Sequence, residues 1–304
     1  MKMRLAPGLA AAVLLPTTLL GAQELVGRNE RVFTLAESIA EGNTLRVFTP
    51  NGKLTVLQGS GSRVEFKGEK DVRNADIEDI AFQVIRSNNG LTICALFTED
   101  DECTDRGVRS ENRSGRWWRN RSMRVDVTVR MPRGVKLHAG TGNGEVSVDG
   151  VGAEATISTG NGRMRITNVS GELEASSGNG AITIDRTTGP VHVSSGNGDI
   201  EVRAVRGPVS ASSGNGDIDV QMDELRIEGD MEFTTGNGAV TITVPSGFSG
   251  DLSADTGNGH FVTDFPMTLQ GRFREGHVRG TIGGGGRRIR LSSGNGRIEL
   301  RRRA

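Results

Sequence analysis

The sequence predicts an all-β protein, a parallel β-solenoid (β-helix) built from two-strand rungs of roughly 18 residues with Gly-Asn-Gly corners. Gly-Asn-Gly occurs five times at a constant interval of 18 residues, and looser copies follow after steps of 22, 21 and 37 residues. A constant internal period of this length is typical of architectures in which each unit packs against its neighbours. The chain also has 44 glycines and only 4% aromatic residues, a composition that suits short strands joined by tight turns.

The asparagine at the centre of each corner is expected to stack from rung to rung. Glycine adopts positive φ freely, and asparagine is the non-glycine residue best suited to it. Amide side chains stacked at the spacing of adjacent strands can hydrogen-bond to one another along the axis. The predicted corner ladder consists of Asn143, Asn161, Asn179, Asn197, Asn215, Asn237, Asn258 and Asn295.

Each unit supplies two short strands with one buried face. After every corner the apolar residues alternate with polar ones, as in Ile182 and Ile184 or Ile200 and Val202, which is the period of a half-buried strand. Neither strand can bury its apolar face alone, whereas parallel stacking of successive units buries a continuous core. Asn-Gly is also a strong hairpin signal, so an antiparallel meander is the alternative, but the constant period favours the solenoid.

Residues 1–22 are predicted to be a secretory signal peptide rather than part of the fold. Lys2 and Arg4 precede a mostly apolar stretch, and small residues stand before Gln23, which is the layout of such a leader. The apolar stretch is short and is interrupted by Pro7 and Pro16, so no transmembrane span is expected. The mature protein is therefore expected to be exported, to the periplasm or the cell surface.

Residues 23–131 are predicted to form an N-terminal β region that contains the first rungs or the cap of the same solenoid. Strands are expected at 44–49 and 53–58, and the intervening Pro50-Asn51-Gly52 resembles a degenerate corner. A further strand pair is expected around Asn88-Asn89-Gly90, and 123–131 alternates as a strand.

A charged insertion at about 98–122 interrupts this region. An acidic block is followed by an arginine-rich stretch with Trp117 and Trp118 at its centre. Low apolar content and clustered charge favour a surface loop rather than a strand. Trp117 and Trp118, with Arg116 and Arg119, suit contact with a partner; the alternative is that both tryptophans fold back onto the solenoid.

Two cysteines, Cys94 and Cys103, lie just before and within the insertion. In an oxidising compartment a local disulfide is the favoured interpretation. A redox or metal-binding pair is the weaker alternative, because the spacing is not Cys-x-x-Cys and no histidine lies nearby.

Residues 132–304 form the repeat region, whose last units are longer than the others. The chain closes with a strand crowded by Arg301, Arg302 and Arg303. Charge on a terminal rung guards its unpaired backbone against edge-to-edge aggregation, and we expect that role here; the alternative is a binding patch.

No cofactor or metal site is predicted. An acidic residue follows only three of the eight corners, Glu145, Asp199 and Asp217, whereas calcium-binding repeats need an acid at a fixed offset. The histidines are far apart in sequence and no phosphate-binding glycine motif is present. With 37 basic and 37 acidic residues, the balanced charge gives no case for nucleic acid.

The acidic residues also allow an enzymatic hypothesis. Parallel β-helices can present paired carboxylates for polysaccharide cleavage, and Asp199 and Asp217 should stack on adjacent rungs. The more economical interpretation is a solvated outer face.

The motif Ser-Gly-Asn-Gly-Asp-Ile-x-Val, repeated with variations, resembles a bacterial putative-adhesin family of exported β-strand-repeat proteins with a domain of unknown function. The segments Asp264-Phe265-Pro266-Met267 and Gly280-Thr281-Ile282-Gly283 are similar to that family's C-terminal pattern. The resemblance covers roughly 44–300; it implies a β-solenoid in the cell envelope and transfers no catalytic residue.

The expected function is that of a non-catalytic cell-envelope β-solenoid, an adhesin or a binding or scaffold protein. Its partner would be an unidentified protein or a cell-envelope glycan. The alternative is a carbohydrate-active β-helix enzyme, a polysaccharide lyase or glycosidase, with Asp199 and Asp217 as candidate acids.

Overall fold

The computed structural model describes residues 23–110, 122–225, 229–270 and 276–303. Regular structure within these ranges is β-strand, apart from a 3-10 turn at Ile77–Asp79. The predicted signal peptide lies outside the described residues. Within the described ranges no helix is long and apolar enough to cross a membrane.

The strands fall into three groups along the chain. The N-terminal group comprises β1 (Gln23–Val26), β2 (Val32–Ser38), β3 (Thr44–Asn51), β4 (Leu54–Gln58), β5 (Arg63–Arg73), β6 (Ala81–Ser87), β7 (Gly90–Leu96), β8 (Asp101–Thr104), β9 (Gly107–Ser110) and β10 (Ser122–Met131). The repeats comprise β11 (Lys136–Asn143), β12 (Val146–Val151), β13 (Ala155–Asn161), β14 (Met164–Val169), β15 (Leu173–Asn179), β16 (Ile182–Thr187), β17 (Val191–Asn197), β18 (Ile200–Val205), β19 (Val209–Asn215), β20 (Ile218–Met222), β21 (Met231–Asn237) and β22 (Val240–Val244). The C-terminal group comprises β23 (Gly250–Asn258), β24 (Phe261–Thr263), β25 (Met267–Leu269), β26 (His277–Ile282), β27 (Arg288–Asn295) and β28 (Ile298–Arg302).

Two long sheets face each other and share the rungs. The first sheet has 14 strands in the order β1-β6-β7-β3-β11-β13-β15-β17-β19-β21-β27-β23-β26-β25, and the second has 12 in the order β2-β5-β10-β4-β12-β14-β16-β18-β20-β22-β28-β24. Neighbouring repeat strands pair in parallel, and the register places Asn143 opposite Asn161. The predicted parallel β-solenoid is confirmed, and the antiparallel meander is excluded for the repeats.

The first rung is β3 and β4, which stack directly on β11 and β12. Asn51 lies opposite Asn143 in this register, so Pro50-Asn51-Gly52 is a corner of the solenoid. The chain between β4 and β11 builds the cap: β7 pairs with β3 in the first sheet, while β10 pairs with β4 in the second. The antiparallel strands β1, β6, β2 and β5 complete it.

Most corners of the repeats are fixed by a contact on their inner side. The second hydroxyl residue before the corner is buried and donates to a glycine carbonyl of the neighbouring rung, as Ser195 does to Gly180 at 3.1 Å. Gly198 has φ of 151°, and a Cβ there would lie 2.4 Å from the carbonyl oxygen of Gly180. Rung stacking therefore requires glycine at this position, which explains why the motif recurs.

The C-terminal rungs do not stack in sequence order. The chain passes through β23 and β24 first, yet β27 lies between β21 and β23, and β28 lies between β22 and β24. Each rung offers the same corner and the same backbone pairing, so chain order alone does not decide which neighbours stack.

The strand that carries the terminal arginines is consequently not the last rung. The expectation that Arg301, Arg302 and Arg303 close the array is wrong, because Ile298–Leu300 of β28 pair with β22 on one side and with β24 on the other. Among the described strands, Arg301 and Arg302 themselves pair with β22 only. The edge strand at the C-terminal end of the second sheet is β24, which is three residues long. A very short strand is itself a means of limiting edge-to-edge association.

Candidate binding groove

A hairpin of β8 and β9 stands on the outer side of the first sheet near the N-terminal end. Cys94 of β7 forms a disulfide with Cys103 of β8, with a Cα–Cα distance of 5.7 Å. The Asp101 carboxylate accepts hydrogen bonds from the backbone N–H groups of Phe97 at 2.7 Å and Thr98 at 3.1 Å. The turn that leads into the hairpin is thus fixed by the disulfide and by the Asp101 hydrogen bonds.

This hairpin differs from the sequence expectation of a loop. Residues 101–104 and 107–110 pair as antiparallel strands, although they are rich in charge. The local disulfide and the hydrogen bonds to Asp101 stabilise these two strands, which lack the alternating apolar residues of the repeats.

A small apolar cluster attaches the hairpin to the sheet. It consists of Phe48, Cys94, Leu96 and Cys103, with Ile85 and Val108 packed against it. Phe48 is an outward-facing residue of β3 and is only 4% exposed, because the hairpin covers it. The hairpin is therefore packed onto the outer face of the first sheet through this cluster and the disulfide.

Between the hairpin and the first three corners lies an open groove of about 830 Å³, here called the hairpin groove. One wall is β9 and its turn, and the other is the line of corner asparagines. Its lining includes Arg106, Val108, Gly140, Asn143, Ser158 and Asn161.

Gly140 lies in the floor of the groove, between Phe48 and Ser158. The parallel register aligns Gly140 with Ser158, and Ser158 with Ser176 on the following rung. A Cβ at Gly140 would lie 2.6 Å from the Ser158 hydroxyl oxygen. The Ser158 hydroxyl and the Phe48 ring, 3.3 Å from the same point, occupy the space that a Gly140 side chain would need, so the residue in this column of the second rung must be small.

The corner asparagines form a continuous ladder of side-chain amides. Asn161 donates from Nδ2 to Asn143 Oδ1 at 2.7 Å, and Asn179 donates to Asn161 at 2.8 Å. The same bond recurs along the array through Asn197, Asn215, Asn237, Asn295 and Asn258. Each amide retains a second N–H and further lone-pair capacity on its outer side, which can hydrogen-bond to a hydroxyl-rich ligand.

Among the described lining residues, the charged side chains are Arg106 and Asp101, and the Asp101 carboxylate is engaged by the N–H groups of Phe97 and Thr98. Arg106 is exposed, and among the described parts of the chain no carboxylate lies within ion-pairing distance of it. Nearby, His138 packs edge-on against Phe48, with ring centroids 5.0 Å apart. Burial and the neighbouring Arg46 lower the pKa of His138, so its imidazole is neutral at neutral pH.

The residues predicted from sequence are placed unevenly around this groove. Cys94 and Cys103 hold its hairpin, and Asn143 and Asn161 line its corner side. Trp117, Trp118, Arg116 and Arg119 lie outside the described residues, while Ser110 and Ser122, which flank that segment, line the groove.

Sequence reasoning missed Phe48 and Gly140. Aligning the units on their corners would have shown both, because serine or threonine occupies that column in the following repeats.

Asp199 and Asp217 have a structural explanation. The Asp199 carboxylate accepts a hydrogen bond from the backbone N–H of Asp217 at 2.9 Å, and Asp217 accepts one from Ala239 at 2.7 Å. These side chains satisfy main-chain donors at the turn into the next strand. Within the described ranges, no group of three metal-ligating side chains comes together.

Comparison with known proteins gives a family and two solved structures. The model of the Toastrack DUF4097 family matches residues 41–203 and 108–301. A putative cell adhesion protein from Clostridium sporogenes ATCC 15579 is 13% identical, with 90% of this chain and 100% of that chain covered and a TM-score of 0.29. A putative adhesin from Bacteroides fragilis NCTC 9343 is 14% identical, with 91% and 99% covered and a TM-score of 0.41. No curated protein matches the chain.

Proposed function

Since the chain belongs to the Toastrack DUF4097 family, we propose that it is a non-catalytic, exported cell-envelope protein with an adhesin-like binding role. The hairpin groove is the proposed contact surface. The observation that carries this proposal is a disulfide-anchored hairpin that borders an open groove beside a row of exposed amides.

The chemistry of the groove favours a cell-envelope glycan that bears an acidic group. Side-chain amides and serine hydroxyls can each donate to and accept from sugar hydroxyls. The exposed guanidinium of Arg106 suits a carboxylate or phosphate on the same ligand. A ligand with many hydroxyls and occasional negative charge matches both features.

Export is supported by the disulfide together with the leader-like sequence. Stable disulfides are typical of oxidising compartments and rare in the cytosol, and Cys94 and Cys103 are bonded. Fractionation of cells with N-terminal sequencing of the mature chain tests this point. A cytosolic protein that retains Met1 would contradict it.

Binding is tested by co-sedimentation of the purified protein with insoluble bacterial cell-wall glycan. Ser158→Phe should fill the groove floor and reduce retention about tenfold or more, the effect of losing a central contact. Ser212→Phe is the matched control, since Ser212 lies in the same outward column of β19, away from the groove lining.

The charge contribution is tested separately. Arg106→Ala should weaken retention, whereas Arg279→Ala, which removes another exposed arginine remote from the groove, should not. Equal retention for Ser158→Phe and the wild type would remove the groove from the proposal. Release of sugar products during the same incubation would instead favour the enzymatic alternative.

A further inference from the structure

Asparagine followed by glycine is chemically labile, and this chain repeats that pair along its corner ladder. In such a pair the glycine backbone nitrogen can attack the asparagine side-chain carbonyl carbon, because glycine has no Cβ to hinder it. The nitrogen must lose its proton and be free to move toward the side chain. Sequence alone makes all Gly-Asn-Gly corners equivalent in this respect.

The structure protects this nitrogen at the other corners. The N–H of the glycine that follows each asparagine donates to the asparagine carbonyl of the adjacent rung, as Gly198 does to Asn215 at 2.8 Å. The same bond is made by Gly52, Gly144, Gly162, Gly180, Gly216, Gly238 and Gly296. Attack would require local opening of the rung, which costs free energy.

Asn258-Gly259 differs because it belongs to the last rung in space. Its own carbonyl accepts from Gly296 at 3.1 Å, but the N–H of Gly259 has no acceptor among residues 23–110, 122–225, 229–270 and 276–303. The Asn258 side chain donates to Asn295 at 2.7 Å, and within the same ranges no amide donates to it in return. Both residues are exposed.

The inner side of this corner also lacks, among the described residues, a hydrogen bond that the repeat corners make. Corner hydroxyls of the repeats donate to a glycine carbonyl of a neighbouring rung, as Ser213 does to Gly198. The equivalent hydroxyl of Thr256 is buried without a partner in the described structure. By contrast, the first corner is covered, because Asn51 donates to the carbonyl of Met123 on β10 at 2.7 Å.

We propose that Asn258 is the preferred site of spontaneous deamidation in the folded protein. The Gly259 backbone nitrogen bonds to the Asn258 side-chain carbon, the bond from that carbon to Nδ2 breaks, and ammonia leaves with the proton from the Gly259 nitrogen. Water then opens the cyclic imide at either carbonyl, which leaves an aspartyl or an isoaspartyl residue at this position. No oxidant, reductant or enzyme is required.

The change would act on the end of the ladder. A carboxylate has no N–H to donate to Asn295, so the last amide bond of the ladder is lost. An isoaspartyl linkage also inserts an extra backbone carbon at the corner, which disturbs the register of the three-residue β24.

The test is to incubate the purified full-length protein at about pH 8.5 and 37 °C and to map deamidation by peptide mass spectrometry. The alkaline pH is chosen because base promotes loss of the proton from the glycine nitrogen. Asn258 should react at least about tenfold faster than Asn197, because the latter requires local opening. In the urea-unfolded protein the corner asparagines should react at comparable rates.

Variants make the assignment specific. Asn258→Gln should abolish the fast phase, since a six-membered imide forms far more slowly, whereas the matched Asn197→Gln should leave it unchanged. Equal rates at Asn258 and Asn197 in the folded protein would overturn the proposal. A fast phase that persists unchanged in Asn258→Gln would overturn it as well.

Discussion

The carboxylate of Asp199 accepts the backbone N–H of Asp217, its counterpart on the next rung, at 2.9 Å. Asp217 repeats the arrangement with Ala239, so two acids that look like a catalytic pair in sequence are acceptors for the main chain. The same device occurs in the cap, where the Asp126 carboxylate accepts the N–H of Lys53 at 2.7 Å. An acid at this position accepts a hydrogen bond from the backbone N–H of the residue that follows the corner glycine on the neighbouring rung.

Asp199→Asn should therefore be nearly neutral, because the amide oxygen can still accept the hydrogen bond. Asp199→Ala should lower the free energy of unfolding by about 0.5–1.5 kcal/mol, the usual net contribution of one hydrogen bond. Urea denaturation of both variants measures the difference. If neither variant changes the unfolding midpoint, the main-chain role of this carboxylate is wrong.

The asparagine ladder makes a graded prediction. The Asn197 side chain donates to Asn179 and accepts from Asn215, both at 2.8 Å, whereas the Asn143 side chain accepts from Asn161 and donates to no residue in the described parts of the chain. Asn197→Leu should therefore destabilise the protein by about 1–3 kcal/mol and Asn143→Leu by about half as much. Thermal melts compare them directly, and equal shifts in melting temperature would count against the ladder.

The corner glycines are the part of the fold that sequence predicted most securely. Gly198→Ala would place a Cβ 2.4 Å from a carbonyl oxygen, at a φ that disfavours side chains. We expect a loss of about 3 kcal/mol or more, as for other changes that force strain into a close-packed site. Gly247→Ala is the control, because a Cβ at Gly247 would have no other atom within 4 Å; similar melts for the two would contradict the steric argument.

Sequence periodicity predicted the rung because the corner, the alternating strand and the buried hydroxyl all recur at one spacing. It could not predict that β27 lies between β21 and β23, since equivalent corners pair equally well with one another. It also could not find the hairpin groove, which depends on a disulfide and on Phe48 packing across distant segments. Periodicity specifies local geometry, whereas insertions depend on contacts that do not repeat.

Lys70 in the cap should make stability depend on pH. It is 2% exposed, and its Nζ lies within hydrogen-bonding distance of four main-chain carbonyls, those of Gly27 at 2.5 Å, Ile80 at 2.6 Å, Arg28 at 2.9 Å and Ile77 at 3.1 Å. Burial lowers its pKa from 10.5 to about 8, while Glu30 acts in the opposite direction.

Between these two values the unfolded chain binds more protons than the folded one, so the free energy of unfolding rises with pH. The increase attributable to Lys70 falls in the window from pH 8 to 10.5 and is at most about 3 kcal/mol, because the four carbonyls stabilise the ammonium and oppose the effect of burial. Lys70→Met should remove this rise, and Lys67→Met, at an exposed site of the same strand, should retain it. Parallel pH profiles for the wild type and Lys70→Met would contradict the assignment.

The disulfide should matter more for binding than for the solenoid as a whole. Cys94 and Cys103 join β7 to the hairpin, and most rungs make no contact with either. Cys94→Ser combined with Cys103→Ser should cost about 2–3 kcal/mol, the range for closing a short loop. It should also reduce retention on cell-wall glycan, because one wall of the hairpin groove is no longer held.

Hydrogen exchange shows whether the loss of stability is confined to the hairpin: amides of β8 and β9 should lose protection while those of β17 keep theirs. Uniform loss of protection along the array would mean that the disulfide supports the whole fold instead.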